Sequence, residues 1–282
     1  AASGSILRRR RTGGPRLSEL RDDKRSKATA VMARERELQL LPQEEARTLK
    51  QTFSVLTTVT VWGIHLVLFV RSTVRPHITN LKTSSVKTGL GNVLGNKAGV
   101  ACAFEYRSTT SFAFVTSHLA ARYDRLRQRA NDYSATCAGL RLGLRGLEFL
   151  HTYDHVFWFG DFNYRISLEG KHGTSKEFTR VLDLIKLRAF QQLRAGDQLA
   201  AEMKHGRVFN GFSEGAIDFP PTYRMLKGRR GYSNKKNQNP SYTDRVLWRS
   251  QPGLQDHVQL HEYSSAQALT MSDHRPVCAW FS

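Results

Sequence analysis

The chain has 282 residues, 40% of them hydrophobic, which suits one large α/β domain or two small ones with a substantial core. Its 43 Lys and Arg against 24 Asp and Glu give a formal charge of +19; the first fifty residues carry 13 basic and 7 acidic side chains, so +13 stays with the rest. That balance favours polyanionic partners without choosing among nucleic acid, anionic lipid headgroups and phosphorylated small molecules, while no apolar run reaches the roughly 18 residues of a membrane span and no signal peptide is visible.

Residues 1–30 are charged and poor in large apolar groups and read as disordered, and the Arg8–Arg11 cluster reads as part of that solvated tail, with a targeting or membrane-touching element as the alternative. The pattern allows a helix from Thr29 to Gln51, weakened by Pro42, so 1–52 form a basic N-terminal extension ahead of a domain over 53–282. Phe53–Thr60 and Ile64–Val70 are rich in β-branched residues and predict paired strands around Trp62-Gly63. Val86–Asn96, with three glycines, predicts a loop, and Gly99–Tyr106 with Ser111–Ser117 a hairpin joined by Arg107–Thr110. Leu126, Ala130, Tyr133, Cys137 and Leu140 recur at helical spacing. Ser175 is expected to cap a second helix burying Phe178, Val181, Leu182 and Ile185, and Gly206 to close a third after Leu199 and Met203. Gly228–Asn239 reads as a basic loop. Cys102, Cys137 and Cys278 lie among apolar residues and read as buried thiols of a reducing compartment, without zinc-like spacing.

The chemistry concentrates where strands meet polar residues. His155-Val-Phe-Trp-Phe-Gly-Asp-Phe-Asn-Tyr-Arg165 is a buried-strand sequence that ends in Asp161 and Asn163, two positions apart and therefore on one side. Phe112–His118 likewise ends in an imidazole. Ser241–Trp248 and Ser272–Phe281 reverse the order, polar residues first. If strands ending in polar groups run antiparallel to strands beginning with them, Asp161, Asn163, His118, Asp244, Asp273 and His274 meet at one edge, a set rich in cation ligands and proton-transfer groups. Each also has a structural use: Asp161 and Asn163 as turn caps, Asp244 as a surface partner of Arg245.

Six strings, in order, resemble the inositol polyphosphate 5-phosphatases of the endonuclease/exonuclease/phosphatase superfamily typified by deoxyribonuclease I: Gly95–Val100, Ser117–Leu119, Gly160–Arg165, Phe219–Arg224, Pro240–Trp248 and Ser272–Pro276. The resemblance runs from about Phe53 to the end. It implies a four-layer α/β sandwich and Mg2+-dependent removal of the 5-phosphate from phosphoinositides or soluble inositol polyphosphates. By resemblance Asp161 activates or orients the attacking water, Asn163 helps hold it, His274 contacts the scissile phosphate with Asp244 fixing its tautomer, and His118 bonds the phosphate. Asp273 is expected at or next to the metal, where Mg2+ polarises the phosphoryl oxygen. Arg224 and Lys236 match positions that grip the 4-phosphate, with Tyr223 beside them; Lys97 matches the lysine near the 1-phosphate, and Asn96 and Arg245 are placed with the substrate-binding set. Ala98 stands where the family usually has glycine, and its methyl is expected to crowd the substrate.

The resemblance also exposes a gap. Family members carry, before the matched part, strands ending in Trp-Asn and Gln-Glu whose Asn and Glu help hold Mg2+. Here the first asparagine is Asn80, and Gln43-Glu44 lies in a charged helix-like stretch too near Trp62–Leu66 for the family spacing. A fragment, a mispredicted gene start and a degenerate domain all fit, and part of the central sheet is expected to expose apolar surface and an unpaired edge. The expected protein is a cytoplasmic monomer at an anionic membrane surface, binding an inositide and not nucleic acid. A catalytically impaired inositide-binding module and, last, a nuclease are the alternatives.

Overall fold

The computed structural model describes residues 52–88, 97–143, 149–170, 173–235 and 238–282, which apart from 52–54 belong to the unit Val55–Ser282. The N-terminal extension, the helix expected from Thr29 to Gln51, Gln43-Glu44, Asn96 and Lys236 lie outside the described residues.

Alternation of apolar residues builds the central sheet. β4 (Ala98–Tyr106) and β5 (Thr110–His118) form the expected hairpin, and β6 (His155–Asp161) lies parallel to β5. With β3 (Ile78–Lys87), β7 (Ser213–Glu214) and β8 (Asp244–Ser250) they make a six-stranded sheet of order β3-β4-β5-β6-β8-β7. β3 corrects the sequence reading: its pairing runs through Val86↔Gly99 and Lys87↔Ala98, so the start of the supposed Val86–Asn96 loop is strand. As an edge strand of largely exposed polar residues, β3 lacks the apolar alternation by which strands are recognised.

Successive side chains of β5 and β6 leave the sheet on opposite faces. On one, Val115, Val156 and Trp158 pack under α1 (Leu126–Gly139) and α4 (Gln198–Lys204). Trp158 is fully buried against Tyr133, Phe209 and Phe212, and its indole N–H donates to Ser117 Oγ at 3.0 Å. Each such large apolar side chain contributes about 2–3 kcal/mol of burial. α2 (Ser175–Lys186) and α3 (Phe190–Ala195) build a second core with Ile166, Ile217 and Phe219. The cap of α2 is Thr174, whose hydroxyl accepts from the Glu177 amide at 3.2 Å; Ser175, the expected cap, is the first helical residue. Gly206 follows α4 in the left-handed region, as its position suggested.

On the other face Phe114, Phe157 and Phe159 meet two separate hairpins, β1 (Phe53–Val61) with β2 (Ile64–Arg71), and β9 (Leu260–Ser265) with β10 (Val277–Phe281). Ile64 and Leu66 pack on Val100 and Cys102, and Phe281 stands edge-on to Phe157 and Trp248. An apolar trough of about 760 Å³ is lined by Phe112, Phe114, Phe157, Phe159, Val277 and Phe281. Helices, large sheet and hairpins are three layers, among the described residues, of the four-layer sandwich. Cys102 and Cys137 are buried, but Cys278 is exposed because β10 turns Cys278 and Trp280 outward while burying part of Val277, Ala279 and Phe281.

Candidate active site

The register of three strands composes the site. Parallel pairing sets His118 opposite Asp161, and the antiparallel pairing of β6 with β8 sets Asp161 opposite Asp244. The three side chains therefore occupy one rung at one end of the sheet, which is the meeting of strand ends and strand starts foreseen from the sequence. Gly160 permits it: its φ is +135°, and a Cβ there would lie 2.3 Å from the Ser117 carbonyl oxygen and 2.9 Å from Thr116 Oγ1. Before β10, His274 reaches the same place, and Thr116, Ser117, His118, Asp161, Asp244, Ser272 and His274 share a shallow cleft of about 360 Å³ with the β1–β2 turn at Gly63–His65.

His274 Nδ1 lies 3.0 Å from both Asp244 carboxylate oxygens. Asp244 Oδ2 also accepts from Thr222 Oγ1 at 2.7 Å and Thr243 Oγ1 at 2.9 Å, so it is fixed before it meets the imidazole. Burial alone would lower the pKa of His274; the hydrogen bond and charge of Asp244, with the charges of Asp161 and Asp273, outweigh it and raise the value. With Nδ1 donating to Asp244, Nε2 accepts in the neutral ring and donates in the protonated ring that Asp244 favours. For Asp161, burial works upward, but the hydrogen bond from His118 and the charges of His118, His274 and Lys97 hold it below the ordinary carboxylate range. It lies 3.2 Å from His118 Nε2 and accepts from the backbone and side-chain amides of Asn163, both at 3.0 Å.

Asn163 adopts φ +57°, a left-handed turn that an asparagine tolerates and that folds the chain back beside Asp161. Its amide is oriented from behind: Nδ2 donates to the Leu119 carbonyl at 3.1 Å, and Oδ1 accepts from Arg165 Nη2 at 2.6 Å. Arg165 is buried and its guanidinium lies 4.6 Å from the Tyr223 ring, whose other neighbour is the His274 ring at 4.5 Å. Tyr223 thus lies between the Arg165 guanidinium and the His274 imidazole, favourable for a π face when the imidazole is protonated. Arg165, Thr222 and Thr243 escaped the sequence reading; the available signal was their place inside the Gly160–Arg165, Phe219–Arg224 and Pro240–Trp248 strings. A further pair, Asp132 and Arg129 on α1, hides in a helix that reads as plain core. Asp132 accepts the Ala120 amide at 2.8 Å, and Arg129 donates to the carbonyls of Ala120, Arg122 and Tyr123, which clamps the turn after His118.

Four expectations change. Arg245, placed with the substrate set, points away from the cleft because it follows Asp244 on a strand; its guanidinium is fully buried against Asp197 (2.8 Å) and Glu214 (2.6 Å). Asp273, expected at the metal, does not line the cleft and instead faces Arg224 Nε at 3.3 Å and Lys227 Nζ at 3.6 Å. Lys97, expected near an outlying phosphate, hydrogen-bonds His118 Nε2 in the centre of the site, and burial lowers its pKa to about 8 despite the charges of Asp161 and Asp132. One ring nitrogen cannot serve both neighbours at once: protonated, Nε2 donates to Asp161; unprotonated, it accepts from Lys97. The methyl of Ala98 enters the core with Ile64, Leu66 and Val100, so it crowds no ligand.

A divalent cation does not fit the described residues. No three of their His, Cys, Asp or Glu side chains are grouped to share one ion. Asp161 and Asp244 are already engaged by the donors above, and Asp273 faces two cations. Arg224 is paired with Asp273, and Tyr223 stacks on His274 while its hydroxyl donates to Gln238 Oε1 at 3.2 Å; neither Arg224 nor Tyr223 lines the cleft.

Residues 20–280 match the family described as Endonuclease/Exonuclease/phosphatase family 2. The chain is 36% identical over 240 residues to phosphatidylinositol 3,4,5-trisphosphate 5-phosphatase 1 of Xenopus laevis, covering 81% of this chain and 23% of that protein. It is 39% identical over 220 residues to inositol-1,4,5-trisphosphate 5-phosphatase 1 of Schizosaccharomyces pombe, covering 78% and 19%. The chain thus spans about a fifth of the curated relatives it matches. Among solved structures, the inositol polyphosphate 5-phosphatase domain of SPsynaptojanin, in complex with inositol (1,4)-bisphosphate and calcium ion, superimposes with a TM-score of 0.70 at 35% identity, covering 84% of this chain and 68% of that one. With the rung of His118, Asp161 and Asp244 and the six ordered strings, these matches place the chain in the endonuclease/exonuclease/phosphatase family 2, in its inositol polyphosphate 5-phosphatase branch.

Proposed function

We propose that this chain hydrolyses the 5-phosphate of phosphoinositides or soluble inositol polyphosphates at an anionic membrane surface of a reducing compartment. The observation that carries the reading is the cleft in which an imidazole clamped by Asp244 faces the ionised Asp161. The phosphoryl group would lie between them, with His274 Nε2 donating to a non-bridging oxygen and Lys97 adding positive charge. Phosphoryl transfer passes through a loose transition state, so the water needs positioning more than early deprotonation. A carboxylate with a depressed pKa suits that role, and Asn163, locked by Arg165, supplies the neighbouring amide. The new P–O bond forms as the ester bond breaks; a proton leaves the water to Asp161, and the departing ring oxygen takes one from solvent.

Mg2+ dependence is part of the reading only with oxygen ligands from beyond the described set, and no step is derived through the ion. The same observation favours a second reading, an inositide-binding module without turnover. Phosphate release from a 4,5-bisphosphorylated inositide, measured with added Mg2+ and with chelator, separates them. The expected result is release that falls at least about 100-fold in Asp161→Ala. Release unchanged in that variant refutes the assignment; chelator-resistant binding with no release in any condition selects the second reading.

A further inference from the structure

Two buried charges on α1 stand behind the cleft without lining it. Arg129 and Asp132, three positions apart and so on one side of the helix, direct their hydrogen bonds to the turn after β5. Asp132 Oδ2 accepts from the Ala120 amide at 2.8 Å. That amide shares a rigid peptide plane with the Leu119 carbonyl, which accepts from Asn163 Nδ2 at 3.1 Å. The same Nδ2 donates its other hydrogen to Asp161 Oδ2 at 3.0 Å. A helix carboxylate is thus linked, through one peptide group and one carboxamide, to the carboxylate in the cleft. The second arm starts from Arg129, whose Nη1 donates to the Ala120 carbonyl at 3.2 Å and whose Nη2 donates to Gln198 Oε1 at 2.6 Å. Gln198 Oε1 also accepts from the Arg165 amide at 3.0 Å, and Arg165 Nη2 donates to Asn163 Oδ1 at 2.6 Å. Both ends of the Asn163 carboxamide are held, and its orientation is decided: turned over, it would set oxygen against the Leu119 carbonyl and NH2 against a guanidinium.

Burying charge is expensive, and apolar side chains of similar volume would hold α1 to the sheet as well or better. What they would not do is orient a peptide plane. We propose that Arg129 and Asp132 are positioning residues of the candidate active site, which fix the orientation of the Asn163 carboxamide and, through it, the carboxylate of Asp161. This deepens the proposed function and rests on its reading of the cleft as the place of hydrolysis; the bracket itself lies outside the cleft. An Asn163 free to turn over would present its oxygen to Asp161 Oδ2, and the repulsion would drive the carboxylate out of line with the attacking water. Errors of this kind fall on turnover, which needs the reacting atoms aligned, and leave substrate affinity nearly untouched.

The test is a kinetic double-mutant cycle on the full chain, reading phosphate release from inositol 1,4,5-trisphosphate with added Mg2+. Asp132→Ala should lower kcat by about 10- to 100-fold and leave KM within about threefold of wild type. In an Asn163→Ala background the same substitution should cost less than about twofold, because no carboxamide is left to position. Asp132→Asn keeps an oxygen for the Ala120 amide and can turn its NH2 to Gln128, whose amide donates to the other oxygen at 3.1 Å, so it should restore most of kcat. Arg129→Lys keeps the charge but cannot fork between the turn and Gln198, and it carries the expectations of Asp132→Ala through the other arm should that variant not fold. Wild-type kcat in Asp132→Ala, a loss equal in both backgrounds, or an Asp132→Asn variant as slow as Asp132→Ala overturns the proposal. The side-chain amide signals of Asn163 in 15N NMR keep it distinct from the reading of the cleft. They should exchange slowly in wild type and move to the shift and exchange rate of a free amide in Asp132→Ala. Signals that do so in a chain releasing no phosphate leave the bracket standing and remove the reading of the cleft; signals that do not move overturn the bracket whatever the activity.

Discussion

Replacing Asp244 by Asn keeps the shape of the site and removes the charge that holds His274. The pair is 3.0 Å apart, with side chains 30% and 21% exposed. Two unit charges at that distance interact by about 5 kcal/mol at an effective dielectric constant of 20. Partial solvation and the loss of hydration by both groups reduce this to the scale of a hydrogen bond between charged groups, about 2 kcal/mol. The folded pKa of His274 is raised, so the ionic part is fully present below the unfolded value of about 6.5 and is lost as the pH rises through the folded value. The assay is a double-mutant cycle with Asp244→Asn and His274→Gln, using urea unfolding at about pH 5.5 and about pH 9. The expected coupling is about 2 kcal/mol at the lower pH and about 1 kcal/mol or less at the higher, where a neutral hydrogen bond remains. A coupling that is equal at both, or larger in alkali, would refute the account of the pair.

Gly160→Ala should cost more than about 3 kcal/mol, read as a lowered melting temperature or insoluble expression, since the new methyl meets Ser117 backbone in a φ region closed to alanine; a melt within 2 °C of wild type would contradict this. Arg245→Met leaves Asp197 and Glu214 buried without their cation and should destabilise by about 3–5 kcal/mol in chemical denaturation, a loss that a substrate-binding role at the surface would not produce. A thiol reagent should modify Cys278 at once in the native protein and reach Cys102, buried and with its pKa pushed up to about 12, only after unfolding.

How much of this was legible varied with the kind of residue. Asp161, Asn163, His118, Asp244 and His274 are polar groups at the ends of apolar strands; period-two geometry gives the side each takes, and the pairing of β5, β6 and β8 with the approach of the segment before β10 brings them to one edge. Arg245 shows the same rule neglected: if Asp244 faces the cleft, its neighbour on the strand faces away, and Glu214 and Asp197 were waiting on that side. Asp273 and Lys97 were assigned by resemblance, and their true partners, Arg224 with Lys227 and His118, come from segments distant in sequence. Arg165 could not be foreseen as the support of Asn163, because that contact depends on the left-handed conformation of Asn163. β3 was missed for lack of apolar residues, and Cys278 was misread because an apolar surround in sequence does not say which way a strand turns its side chains.

His118, Asp161 and Asp244 share a single row of cross-strand partners, and this ties chemistry to alignment of the backbone. Sliding β8 by one residue along β6 would bring Arg245 to where Asp244 stands, exchanging a carboxylate for a guanidinium next to His274, and sliding β6 along β5 would offer Gly160 in place of Asp161. A misaligned molecule would therefore hold an inert cleft, not a weakened one. Under the proposed hydrolysis, the specific activity of a heterogeneous preparation should count correctly threaded molecules, each contributing in full.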